Sequence, residues 1–411
     1  MRVAHIAFMY GSRRAYGACI AATRLHKALL ARGVESHYLC WESNEPGENI
    51  HVLPRGFLRW IYYLLARCSH YAWEHTWYRK PVPMHVFPVF GFERELDRIK
   101  PDVVHVEWIN DDFPSFTQLG RIQFPIVYSL HDLYLLNAVD PYPPKDDCRF
   151  VDGFSRFNSR WLERWLWNRK KKIFCGRPTV FVGPSRWICA ECRASVIGAN
   201  HEVVAIPNVM DEAYRRIVIA GDNRSDRFVI VFCASCGRKN RTKGFEDLSA
   251  ALALLPQDIR LRMELRVVGE SSEDCELHGI PLRFRGEILS VDELAREYVA
   301  ADLCAVPSRL DNAPQVKFES LMCGTPVATF NRCGCPEFIR NGENGWVAED
   351  GDFSGFADGI AYFYHRWCDE DQRWRQEIAR DARKSFATDR IVDEFLAVYR
   401  RAMEIDELKG S

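Results

Sequence analysis

The 411-residue sequence has almost no net charge: 55 Lys and Arg stand against 56 Asp and Glu, a formal −1. That balance excludes a uniformly basic chain built to bind nucleic acid, and 47% hydrophobic residues exclude disorder. No uninterrupted apolar run reaches the ~18 residues that a membrane-spanning helix needs. Short repeats and low-complexity tracts are missing as well. The opening MRVAHIAF lacks a basic segment leading into an apolar one, so a secretory leader is not expected.

Cysteine, by contrast, is plentiful: fifteen residues, an odd number, scattered from Cys19 to Cys368. This usage predicts a reducing, cytoplasmic setting. Two C-x-x-C pairs, Cys189/Cys192 and Cys233/Cys236, carry enough thiols for a tetrahedral zinc site. The first lies in SRWICAECRAS, which reads as the start of a helix. The second ends the apolar run FVIVFCAS, which reads as a buried strand. All four are therefore expected to be buried hydrophobic thiols, and no metal site is expected.

At ~150 residues per domain the length predicts two or three domains, each able to bury its own core. Short aliphatic runs alternate with helical patterns throughout. VAHIAF (3–8), SHYLC (36–40), DVVHVEW (102–108), PIVYSL (125–130), TVFVG (179–183) and VVAIP (203–207) form a first series of strands. FVIVFCAS, LRVVGE (265–270), LRFRGEI (282–288), DLCAVPS (302–308), PVATF (326–330) and GWVAE (345–349) form a second. Continuous apolar strands separated by helices imply parallel sheets covered on both faces. The α/β chain thus divides into a first Rossmann-like domain (1–207), a linker (208–227), a second such domain (228–385) and a terminal helix (386–411) expected to pack back towards the first. Sheets of this kind bind ligands at the C-terminal ends of their strands, so the chemistry belongs in the loops that follow them.

One such loop, after the first strand of the second domain, reads Gly237-Arg238-Lys239-Asn240-Arg241-Thr242-Lys243-Gly244 before a helix. Free backbone N–H groups, a helix dipole and the cations Arg238 and Lys243 outline a diphosphate site. A second loop, after DLCAVPS, holds Asp311, Asn312, Ala313, Pro314, Gln315 and Val316, and the helix it opens contains Glu319. Backbone amides near the helix start suit phosphate, Asp311 suits sugar hydroxyls, and a carboxylate inside the helix suits a ribose diol. The bland readings are an N-cap for Asp311, an exposed helix charge for Glu319 and a solvated surface for the basic loop.

Together these motifs resemble the nucleotide-binding domain of the retaining glycosyltransferases of family 4. Gly237-Arg238 with Lys243-Gly244 and Asp311-x7-Glu319 match its signatures, followed by Gly324-Thr325-Pro326-Val327 and Gly334-Cys335-Pro336-Glu337. In the first half, Tyr16-Gly17-Ala18 resembles the family's glycine loop and Ser129-Leu130-His131-Asp132 its strand-end histidine motif. The resemblance implies the GT-B fold, two doubly wound Rossmann-like domains facing each other across a cleft. It also implies sugar transfer from a nucleoside diphosphate sugar, UDP- or GDP-linked, to a glycan, a lipid-linked saccharide or another small acceptor, with retention at the anomeric carbon. Arg238, Lys243, Asp311 and His131 would then be catalytic, while Gly17, Asn312 to Val316 and Glu319 would hold the donor. No cofactor or metal is expected. Asp311 stands where the family commonly has Glu and is one methylene shorter.

Residues 55–80 and 155–174 mix Trp, Tyr and Phe with Arg and Lys, a composition that suits an anionic membrane surface or a lipid diphosphate. Core packing on one face with solvated charge on the other is the alternative. Two further alternatives concern function: a nucleotide-sugar-binding partner without turnover, or a sugar-nucleotide enzyme that is not a transferase. Residues 1–200 contain 27 basic and 19 acidic residues and residues 201–411 contain 28 and 37, so the neutral total conceals a basic first half.

Overall fold

A computed structural model of the chain describes residues 1–11, 16–54, 56–73, 85–109, 112–144, 147–219, 225–369 and 371–410. It divides into two compact units, Met1–Val209 with Thr388–Ser411 and Met210–Ala387.

The first unit is built on a seven-stranded sheet among the described residues. Its strands are β1 (Arg2–Ile6), β2 (Glu35–Cys40), β3 (Ile50–Val52), β4 (Val103–Val106), β5 (Ile126–Ser129), β6 (Thr179–Gly183) and β7 (Glu202–Ala205). All pairings are parallel, in the order β3-β2-β1-β4-β5-β6-β7. Strands β4 to β6 are buried along their whole length, which explains their near-continuous apolar sequences. The helices used below are α1 (Gly17–Ala31), α2 (Phe57–Trp73), α3 (Trp161–Cys175) and α4 (Arg186–Ala194).

The second unit repeats the plan with β8 (Phe228–Cys233), β9 (Met263–Val268), β10 (Cys275–Leu277), β11 (Ile280–Phe284), β12 (Leu303–Val306), β13 (Val327–Phe330) and β14 (Gly345–Ala348). The order is β10-β11-β9-β8-β12-β13-β14, parallel except for the antiparallel edge strand β10. Helices α5 (Phe245–Leu254), α6 (Val291–Val299), α7 (Gln315–Met322), α8 (Phe353–Asp369) and α9 (Arg373–Ser385) belong to it. The last helix, α10 (Thr388–Gly410), returns to the first unit, where it packs on β4, β5 and β6.

Strand order reverses between β1 and β4 in one sheet and between β8 and β12 in the other. Each reversal opens a crevice beyond the strand ends, where ligands of such sheets bind. The stretch read as a linker contains a short helix, Glu212–Arg216, that packs on α6 and buries Tyr214. Residues 220–224 of it lie outside the described residues. Cys189 and Cys192 are buried on α4, as their apolar reading required, whereas Cys236 is exposed in the turn after β8 and departs from it.

Candidate functional site

In the second unit, the Gly237-to-Gly244 loop follows β8 and the Asp311 loop follows β12, so the two flank the strand-order reversal. Both glycines are dictated by close approach. Gly237 has φ 53°, and a Cβ there would meet the Cβ of Glu270 at 2.4 Å; Gly244 has φ 74°, and a Cβ would meet the carbonyl oxygen of Pro307 at 2.0 Å. The second contact seats the Lys243-Gly244 turn directly on the end of β12. Arg309 N–H donates to Thr242 O at 2.8 Å, joining the loops further.

Lys243 Nζ donates to Asp311 Oδ2 at 2.5 Å. Burial alone would lower the Lys243 ammonium, but the Asp311 carboxylate more than offsets it, and the group is held above its ordinary value as a firm cation. Arg238 is fixed by Glu270 through three bonds: its backbone N–H at 2.9 Å, Nε at 3.2 Å and Nη2 at 2.9 Å. The guanidinium in turn holds the Glu270 carboxyl down to about 2. Arg238 also lies over the Phe284 ring at 4.5 Å.

The Asp311 loop is braced from below. Lys317, wholly buried on α7, donates to Gly334 O at 2.9 Å and Cys335 O at 3.0 Å, and Gly334 N–H donates to Asp311 O at 3.2 Å. Arg309 and Arg332 both grip Asp247 on α5. Asp311, Asn312 and Ala313 are buried in the turn and Pro314 is the N-cap of α7, so Asp311 is an ion-pair partner rather than a cap. Glu319 is 5% exposed and accepts from Tyr298 Oη at 3.1 Å, which replaces the reading of it as an exposed helix charge.

In the first unit, His131 follows β5 and its Nε2 lies 3.1 Å from Glu107 Oε2, just beyond β4. Glu107 Oε1 lies 3.1 Å from His5 Nδ1 and 3.4 Å from His105 Nδ1. His105 further pairs with Tyr399 Oη of α10 at 2.9 Å and Ser129 Oγ at 2.8 Å. Among the described residues, His5, His105 and Glu107 form the one group with metal-ligand spacing, all buried and with the facing atoms within 4.8 Å of one another. Gly17 is the exposed first residue of α1, and Ser12–Ala15 before it lie outside the described residues.

Within the second unit the structure therefore brings together Arg238, Lys243, Asp311, Asn312, Ala313, Pro314, Gln315, Val316 and Glu319, while His131 and Gly17 lie on loops of the first. Sequence reasoning missed Glu270 and Glu107. Both stand just past the end of a buried strand, in VVGE and VHVEW, and that position was the available signal. In 155–174 one face packs into the core, as the alternative reading had it, but it also takes in a cation that both readings leave at the surface. Lys170 is fully buried, with Nζ donating to Tyr134 O at 2.5 Å and to Asn137 O and Ala138 O at 3.0 Å, and Trp167 is buried with its indole N–H on Leu136 O. Trp161 and Trp165 remain exposed. Of 55–80, residues 55 and 74–80 lie outside the described residues, and α2 exposes Phe57, Trp60, Tyr63 and Tyr71 while burying Tyr62. No helix among the described residues is long and apolar enough to cross a membrane.

Residues 17–214 match the family model for Glycosyltransferase Family 4, and residues 227–366 the model for Glycosyl transferases group 1. D-inositol 3-phosphate glycosyltransferase 1 of Catenulispora acidiphila is 31% identical over 215 residues, 48% of this chain and 49% of that protein. N-acetyl-alpha-D-glucosaminyl L-malate synthase of Bacillus anthracis is 24% identical over 176 residues, 41% and 44% respectively. These matches thus span about half the length of the curated relatives. Sucrose-phosphate synthase from Thermosynechococcus elongatus superposes with a TM-score of 0.66 at 19% identity, covering 97% of this chain and 98% of that one. HepE of Anabaena in complex with UDP gives 0.58 at 15%, covering 98% and 100%. With a family model on each half and the same two-unit fold along nearly its whole length, the chain belongs to the family 4 glycosyltransferases of GT-B fold.

Proposed function

We propose that this chain is a retaining glycosyltransferase that moves a sugar from a UDP- or GDP-linked donor to a hydroxyl of a glycan, a lipid-linked saccharide or another small acceptor. The observation that carries the reading is the Lys243–Asp311 pair at 2.5 Å beside the Glu270-anchored Arg238, at the crevice between the ends of β8 and β12. Structures of HepE with UDP and with UDP-glucose support a nucleoside diphosphate sugar as donor.

As the bond from the anomeric carbon to the departing diphosphate breaks, negative charge grows on the β-phosphate oxygen. Arg238 and Lys243 neutralise it in place of a metal ion. The acceptor hydroxyl attacks the anomeric carbon on the face the diphosphate leaves, and its proton passes to that same phosphate oxygen, so no protein nucleophile is needed. The N–H groups of Asn312, Ala313, Gln315 and Val316 hold phosphate at the start of α7, while Pro314, lacking an N–H, fixes the entry to the helix. Glu319 takes the ribose diol, Asp311 the sugar hydroxyls, and His131 and Gly17 the donor-side roles that family membership implies for them. The apolar exposure of Phe57, Trp60 and Tyr71 on α2, which has no acidic residue from 57 to 73, supports peripheral contact with an anionic membrane from the cytoplasm.

A thermal-shift and hydrolysis screen of UDP-, GDP-, ADP- and dTDP-sugars tests the reading. The correct donor at a hundred times its dissociation constant should stabilise the protein by about 2.7 kcal/mol. A flat response to all four would overturn the reading, and a thermal shift without turnover would favour a nucleotide-sugar-binding partner instead.

A further inference from the structure

An ionised carboxylate with no solvent exposure is costly to bury, and an apolar side chain of similar volume would serve the core at least as well. Glu107 is such a group. Burial alone would raise its pKa, but His105, His131 and His5 overcome this and hold it well below the usual carboxylate range.

The carboxylate faces histidines from two strands and one loop, His5 and His105 at one oxygen and His131 at the other. His5 on β1 and His105 on β4 are direct neighbours in the parallel register. Ser129 at the end of β5 and Tyr399 on α10 hold the two nitrogens of His105. Only one oxygen of Glu107 points at this cluster; the other, Oε2, faces Nε2 of His131. An ionised carboxylate oxygen accepts and cannot donate, so Nε2 of His131 carries a hydrogen and donates it. The turn after His131 is secured separately: Asp132 accepts from the Trp108 indole N–H at 3.3 Å and from Tyr134 N–H at 2.8 Å.

The geometry points to Glu107 as a positioning residue that sets the ring orientation and tautomer of His131, itself hydrogen-bonded by His5 and flanked by His105, whose ring Tyr399 of the C-terminal helix fixes. The inference rests on the reading of His131 as a donor-side group. Its structural half can be tested without any substrate.

Long-range proton–nitrogen correlation spectra of the full chain with isotope-labelled histidine, the His131 signals assigned by their loss in His131→Ala, should show the hydrogen on Nε2. In Glu107→Gln the same ring should become a mixture of tautomers. In turnover assays Glu107→Gln should lower kcat about 10- to 100-fold, as loss of a residue behind a functional histidine typically does. The donor KM should stay within about threefold, and the substitution should add nothing in a His131→Ala background. A wild-type Nδ1–H tautomer, or losses that add in the double variant, would overturn the assignment. A chain that shows the tautomer and its loss on substitution but transfers no sugar would retire the transferase reading and leave the positioning role standing.

Discussion

Arg238 and Glu270 are joined by three hydrogen bonds at the candidate site, and their partnership has a pH signature. The folded Glu270 carboxyl sits at about 2 against an ordinary 4.5, held by the Arg238 guanidinium. A depressed carboxyl contributes stability that is fully present above its unfolded pKa and is lost as pH falls through the folded one. Wild-type stability should therefore decline between about pH 4.5 and pH 2, and Glu270→Gln should flatten that part of a urea-denaturation profile. The same guanidinium and the Lys243 ammonium are assigned to the leaving diphosphate. Arg238→Ala or Lys243→Ala should each reduce kcat by about 10²- to 10³-fold, the range for removing one pre-placed stabiliser of developing charge. Undiminished turnover in either would sink that role. Lys243→Ala also leaves Asp311 buried without its ion-pair partner, so a loss of about 1–3 kcal/mol in stability should accompany it in a melting experiment. At this scale the basic loop and the Asp311-to-Glu319 spacing were legible because each is local in sequence. Glu270 was not, since only the closure of β8 beside β9 brings it under Gly237.

Among the elements, α3 shows how far a helical pattern can mislead. Its mixture of Trp and Phe with Arg and Lys suits a membrane surface or a packed core with solvated charge, yet the charged position 170 within Arg169-Lys170-Lys171-Lys172 itself faces inward and caps three carbonyls of the 134–138 turn that follows His131. The Tyr134 ring adds a contact 3.5 Å from Nζ. Lys170→Met keeps the length of the side chain and removes the donor, leaving those carbonyls unpaired. A loss of about 2–3 kcal/mol, read from the urea midpoint, is expected. An unchanged midpoint would mean that water satisfies the turn. Lys317 braces the Asp311 loop in the second unit by the same device. Periodicity located most strands, because short runs of buried, mainly apolar residues, such as 228–232, leave a clear trace. It passed over Ile50–Val52 and Cys275–Leu277, whose three residues are too few to show any period.

For the whole molecule, the decisive feature is the return of α10 to the first unit. Ile391, Val392, Phe395, Val398 and Tyr399 are all buried there. At roughly 1.5–3 kcal/mol for each large apolar side chain, their burial is on the order of 10 kcal/mol, comparable to the entire stability of a typical domain. A chain ending at Ala387 should consequently lose cooperative unfolding of the first unit, and a single unchanged calorimetric transition would contradict this. Counted by unit, the first carries 31 basic and 26 acidic residues and the second 24 and 30, a milder asymmetry than the two halves of the sequence suggest because α10 is itself acidic. The sequence by itself determined the strands, the helices and the loops that bear the donor-site motifs, since these depend on composition and spacing within a few residues. Only the tertiary structure decided which charges meet: Lys243 with Asp311 across 68 positions, His131 with Glu107 across 24, and His105 with Tyr399 across 294. Those pairings arise from strand order and from the path of the last helix, and local patterning fixes neither.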